Sequence, residues 1–131
     1  MGDFDFRTES EVDQPMTSAF LVRKSVLDQV GFFDERFGMF FNDVDLCLRI
    51  KRAGYRIVFY PEAKVTHHWG GSTSKRRMAM VLHSHWAYFL YLKKYHGSGV
   101  KLPLLLVSGS VLFLGALMRI ALLMVSSPSR K

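Results

Sequence analysis

Gly38-Met39-Phe40-Phe41-Asn42-Asp43-Val44-Asp45-Leu46-Cys47-Leu48-Arg49 is the stretch on which the fold turns. An aromatic approach leads into two carboxylates at the start of a helix. Asn42 is placed to cap that helix, and Asp45, three residues on, completes a pair resembling a capping box. Val44, Cys47, Leu48 and Ile50 make the expected apolar face, and Gly54 ends the helix. At 100° per residue Asp43 and Asp45 stand about 200° apart, so a regular helix cannot aim both at one atom. One faces a cleft; the other caps the helix or pairs with Arg49, four residues beyond Asp45. An acid near a helix N-terminus is favoured in its charged form, and an ionised Asp can take a proton from a hydroxyl. Both acids also suit a purely structural helix start.

Outward from this stretch the pattern is mixed α/β. Residues 1–14 are polar and acidic without a period, and read as a flexible N-terminus. Thr17 to Arg23 is a run of β-formers that reads as a buried strand. Lys24 to Val30 fits a two-turn helix, capped by Ser25 and stopped by Gly31 in a left-handed conformation. Tyr55 to Tyr60 reads as a strand closed by Pro61, and Lys64 to His67 as a second short one. Gly70 to Ser74 is a loop, residues 76–95 a helix rich in Met, Leu and aromatics, and Gly97-Ser98-Gly99 a break. The expected divisions are 1–14, 15–100, 101–126 and a basic tail at 127–131.

The chain has 131 residues and a net charge of +7, from 18 Lys and Arg against 11 Asp and Glu. Acids dominate up to Asp45 and bases dominate from Arg49 on. Basic clusters at Lys75-Arg76-Arg77, Lys93-Lys94 and Arg130-Lys131 flank an apolar run, residues 102–126, whose one charge is Arg119. About 25 helical positions suffice for one tilted bilayer crossing, and Arg119 can snorkel toward a headgroup. An anionic membrane surface therefore suits these clusters better than nucleic acid, which is not expected as a partner. Bases at both ends leave the orientation open. The single cysteine, Cys47, excludes an internal disulfide and a Cys-rich zinc site, and reads as a buried, inert thiol. The N-terminus has neither the basic region nor the apolar core of a signal peptide.

His67 and His68 follow Asp43 by 24 and 25 residues. An imidazole suits Mn or Zn, but on a strand only one of the two faces a given site. Trp69-Gly70-Gly71 adds a flat ring and a pliant loop. His83 and His85 read as structural or interfacial. There is no Gly-rich phosphate loop, no GxSxG and no metalloprotease motif.

Taken in order, these features resemble the C-terminal half of a family 2 glycosyltransferase with the GT-A fold, of the rhamnosyltransferase-like bacterial type. The resemblance runs from about Val12 to Gly97. It is carried by Met16 to Arg23, Val30 to Phe37, Phe41 to Arg49, Ala53-Gly54-Tyr55-Arg56, Pro61, His67 to Ser72 and Tyr88 to Tyr95. It implies an incomplete α/β GT-A domain (partial Rossmann-like), the acceptor-side half, followed by a C-terminal membrane helix. It also implies roles. Asp43 is the general base of an inverting transfer. Asn42 stands where Glu is commoner. His67 helps hold Mg or Mn on the diphosphate leaving group, with His68 competing. Ser18, Ala19, Asn42, Asp45 and Trp69 lie on the substrate side.

The family's nucleotide-binding βαβ units and Asp-x-Asp motif are not in this sequence. The expectation is thus a fragment, inactive alone. The intact enzyme would move a sugar, rhamnose from dTDP-rhamnose being the expected case, to a lipid-linked or cell-surface glycan at the cytoplasmic face of the membrane. The alternatives are a non-catalytic acceptor-side or membrane module that needs a partner chain for the nucleotide half, and a basic adaptor using Lys75 to Arg77.

Overall fold

The computed structural model describes residues 4–15, 18–66, 77–97 and 102–126. Its elements are β1 (Ser10–Glu11), α1 (Lys24–Val30), a 3-10 turn (Glu35–Phe37), α2 (Asn42–Arg52), β2 (Val58–Phe59), α3 (Arg77–His96) and α4 (Leu102–Ser126). They fall into two compact units. Residues 1–34 and 42–69 form the first; residues 35–41 and 70–131 form the second.

The first unit is built on α2. Leu46, Cys47 and Ile50 lie at the i, i+1 and i+4 positions of one stripe and bury together with Val26 of α1 and Ile57. Leu46 is the centre of the apolar face, whereas Val44 and Leu48 are only partly buried. The helix stops where the sequence indicates. Gly54 takes φ 86°, its N–H donates to Lys51 O at 3.0 Å, and the Tyr55 N–H donates to Ile50 O at 3.2 Å. This is the paired bonding of a Schellman stop, which needs a residue free to adopt positive φ.

The strands differ from those expected. The described part of residues 1–14, read from polarity as a flexible N-terminus, contributes a strand. Ser10 pairs with Phe59 and Glu11 with Val58 in an antiparallel two-stranded sheet, extended by the Val12 N–H donating to Ile57 O at 2.9 Å. Ahead of it Asp5 accepts from the Arg7 N–H and the Thr8 hydroxyl, and Phe4 and Phe6 meet Phe59 edge-on. Of the strand expected over Tyr55–Tyr60, only Val58–Phe59 pairs. The described part of Thr17–Arg23 forms no strand. Phe20 and Val22 pack on the core, but Leu21 is 98% exposed. β-branched and aromatic residues favour a strand only where a neighbouring edge is available to pair with. Lys64 to Thr66 likewise lie outside any strand.

α1 spans the expected residues, but its N-cap is Arg23, with no side-chain bond, and Ser25 lies inside the helix. Gly31 does stop it with positive φ, at 83°, but ψ is 162°, which is the extended mirror region rather than the left-handed helical one. That region is essentially restricted to glycine. Gly31→Ala is therefore expected to destabilise the unit by about 1–3 kcal/mol, read as a lower urea midpoint.

In the second unit Phe37 is buried beneath Lys94, whose Nζ lies 5.4 Å from the ring centroid. Phe41 stacks on Tyr88 at 5.2 Å and meets Tyr91 at 5.5 Å. Phe41 holds φ 64°, an uncommon conformation for a bulky side chain. α4 covers the expected apolar run. Within it Pro103–Met124 is long and apolar enough to cross a membrane, by length and composition, and is only 11% buried. A core helix of a soluble domain would be mostly buried.

Candidate active site

The first turn of α2 carries the candidate residues, and the structure separates its two acids. Asp43 is half-buried. Its Oδ1 accepts from the Val44 N–H at 2.8 Å, and its Oδ2 accepts from Gln14 Nε2 at 3.1 Å. The Asp43 N–H donates to Asn42 Oδ1 at 2.7 Å. Asn42 thus turns its side chain onto the helix start, as its type favours. Both carboxylate oxygens carry a donor while the group stays within reach of solvent. That arrangement holds an acceptor of protons at a helix N-terminus in one orientation.

Asp45 behaves in the opposite way. Its residue surface is 0% exposed, and its Oδ2 accepts from Arg49 Nε at 2.9 Å. This is the pairing that the i, i+4 spacing allowed. Arg49 then bonds three successive carbonyls after α1: its Nη1 donates to Val30 O and to Gly31 O (2.9 Å), and its Nη2 to Phe32 O (2.7 Å). The planar guanidinium suits such a fan of acceptors. Asp45 is thus enclosed and held by Arg49, in the i, i+4 pairing rather than in a capping box.

Ser18 and Ala19 lie exposed in the turn ahead of α1. His67, His68, Trp69, the loop through Ser74, Lys75, Arg76 and the tail at 127–131 lie outside the described residues. Among the described residues no three His, Cys, Asp or Glu side chains come together to hold a metal ion. The described part does not by itself fit a divalent metal.

Gln14 is the site residue that the sequence concealed. It sits 29 residues from Asp43 and reaches it because the β1–β2 pairing carries residues 12–14 past α2. One residue earlier, Asp13 accepts from Lys51 of the same helix, and this contact holds the Asp13 carboxyl below its usual pKa. Nothing in the residue type of Gln14 signals the contact.

Cys47 is buried as expected, 1% exposed. Burial, with a further push from the Asp43 charge, raises its thiol to a pKa of about 11. At pH 8 roughly one thiol in a thousand is then ionised, and thiol reactivity follows the thiolate. Cys47 is expected to react with a disulfide reagent far more slowly in the folded chain than in urea, followed by absorbance of the released thiolate.

The site is thus a half-buried, oriented carboxylate at a helix start, preceded by Asn and followed by a buried acid–arginine pair. The sequence profile described as "Glycosyltransferase like family 2" matches residues 5–89, and the chain belongs to that family. Among its relatives is the N-acetylglucosaminyl-diphospho-decaprenol L-rhamnosyltransferase of Mycobacterium tuberculosis, 38% identical over 87 residues, covering 66% of this chain and 28% of that protein. Another is the rhamnosyltransferase WbbL of Escherichia coli, 36% identical over 61 residues (47% of this chain, 23% of that protein). The O-antigen biosynthesis protein RfbC of Myxococcus xanthus is 36% identical over 72 residues, 54% of this chain and 6% of that protein. The chain thus spans less than a third of the length of these relatives. No solved structure matches it.

Proposed function

We propose that this chain is the acceptor-side part of a membrane-attached, inverting glycosyltransferase of GT-A type, with Asp43 as its general base. The observation that carries the reading is the placement of Asp43: accessible, at a helix N-terminus, and held by Gln14 and the Val44 N–H. The Asp43 carboxylate takes the proton of an acceptor hydroxyl. The hydroxyl oxygen attacks the anomeric carbon as the bond from that carbon to the diphosphate breaks, and the configuration inverts. Such a base contributes about 10²–10⁴-fold to rate.

The names of the relatives support rhamnose as the sugar and a polyprenyl-diphosphate glycan as the acceptor. Glycosyltransferases of this family generally use a divalent metal, which neutralises a diphosphate leaving group. His67 is the residue of this chain proposed to contribute to holding it. Ser18 and Ala19, both exposed, and Trp69 are proposed on the substrate side, with Asn42 shaping the turn that presents Asp43. α4 anchors the protein at the cytoplasmic face of the membrane, where nucleotide sugars are available.

The exposed edge of the first unit supports an incomplete site. Leu21 stands nearly free of contact, and an apolar groove of about 310 Å³ is lined by Phe20, Leu21, Val22, Phe32, Phe33 and Leu46. Exposed apolar patches of this kind commonly mark an interaction site. The partner proposed for it is the nucleotide-binding half, on the same polypeptide or on a separate chain. Membranes from cells expressing the protein in its genomic context, given radiolabelled dTDP-rhamnose, are expected to transfer label into organic-extractable lipid. Absence of protein-dependent label with every nucleotide sugar tried would remove the assignment.

A further inference from the structure

The second unit carries an apolar surface that the transfer reaction does not use. α3 and α4 run antiparallel. Gly109 lies against Phe89, where a Cβ would stand 2.9 Å from the ring, and Gly115 faces His85, 3.8 Å from Nε2. Ala116 of α4 is buried beside them. Beside this seam runs a groove of about 550 Å³, walled by Leu82, Trp86 and Phe89 of α3 and by Leu106, Ser110 and Phe113 of α4. On α3, Met78, Leu82, Trp86, Phe89 and Lys93 fall within a sector of about 80°. Trp86 is 60% exposed, and Met78, Leu82, Leu106 and Phe113 are exposed as well.

The Ser110 hydroxyl and one ring nitrogen of His85 bond within their own helices. Ser110 Oγ donates to Leu106 O at 3.1 Å, and His85 Nδ1 lies 2.8 Å from Val81 O. A partner needing hydrogen bonds would find few here; an acyl chain needs none. The stripe ends at Lys93, an exposed cation on the same face. An apolar stripe with Trp on it and Lys at its end is the side-chain order of a membrane–water boundary. The groove is also continuous with α4. Whatever surrounds Leu106 and Phe113 surrounds Leu82 and Trp86.

We propose that α3 enters the bilayer boundary together with α4, so that lipid acyl chains fill the groove and Lys93 meets the phosphate of an anionic phospholipid. The membrane-seated part is then a two-helix hairpin, not a lone span. This rests on the reading of α4 as the membrane anchor.

The test uses the full chain carrying Trp69→Phe, which leaves Trp86 as the sole tryptophan. It is reconstituted with phosphatidylcholine–phosphatidylglycerol vesicles, with and without bromine on the acyl chains. Flotation of the protein with the vesicles reports on α4. The expected result is co-flotation, blue-shifted Trp86 emission and loss of most of that emission in brominated lipid. Wild-type chain should lose the quenchable part of its emission on Trp86→Phe, which serves if the first variant folds poorly. Co-flotation with red, unquenched Trp86 emission overturns the hairpin and leaves α4 as the anchor. Unquenched Trp86 with crosslinking between copies assigns the groove to a second chain instead and also overturns the proposal. Failure to float overturns both.

Discussion

Arg49→Met is expected to destabilise the first unit by about 3–5 kcal/mol, the range for leaving one member of a buried ion pair without its partner. Asp45 is 0% exposed and the Arg49 side chain 19%, so little water can take the place of the guanidinium. The substitution strips the carboxylate of its Nε donor and also removes the bonds to the carbonyls of Val30, Gly31 and Phe32. Folded domains hold only about 5–15 kcal/mol in all, so the loss takes a large share. Urea unfolding in detergent, followed by far-UV circular dichroism, reads it. The pair Asp45→Leu with Arg49→Met should recover part of the loss, because no charge is then buried alone. It should not recover all, since the three carbonyls still lack their donor. A loss below about 1 kcal/mol for Arg49→Met would place the pair in a solvated setting, where such bonds are weak.

Arg49 also shows how far the sequence could be read. The i, i+4 spacing offered the Asp45–Arg49 pair, and the pair is there. That Asp45 is the most enclosed polar side chain among the described residues could not be read, because burial of a charge depends on which segments close over it. Here these are the end of α1 and the turn after Gly31, brought in by Arg49 itself. The helix stop at Gly54 was legible because a Schellman turn needs only local residues. The sheet was not. Ser10 and Glu11 carry no strand signal, and they pair only because Val58 and Phe59 present an edge to them. Conversely, Thr17 to Arg23 has strand-forming residues and, in its described part, no strand. Propensity without an edge leaves Leu21 in solvent. The Gln14–Asp43 contact spans 29 residues and follows from that same unforeseen pairing.

Asp43→Asn is the second substitution with a large expected effect, and it acts on rate rather than on stability. Asn keeps the size of the side chain and one acceptor oxygen, so the Val44 N–H can still be capped. It cannot take a proton from a sugar hydroxyl. Because the carboxylate sits on the acceptor side of the proposed reaction, the nucleotide sugar should still bind. Transfer should fall while donor affinity stays, the pattern of a group that acts only in the transition state. Asp43→Glu tests position separately. It keeps the charge but moves the carboxylate by about one bond from Gln14 Nε2 and the Val44 N–H, and misplacement on this scale can lower rate about 10²-fold.

The central claim is that Asp43 removes the acceptor proton in a sugar transfer. Its most direct test is the initial rate of rhamnosyl transfer from labelled dTDP-rhamnose to lipid acceptor, in membranes carrying wild type or Asp43→Asn in the same genomic context, with donor binding measured alongside. The predicted result is a fall of about 10²–10⁴-fold in transfer with donor binding unchanged. Turnover by Asp43→Asn close to that of wild type would contradict it.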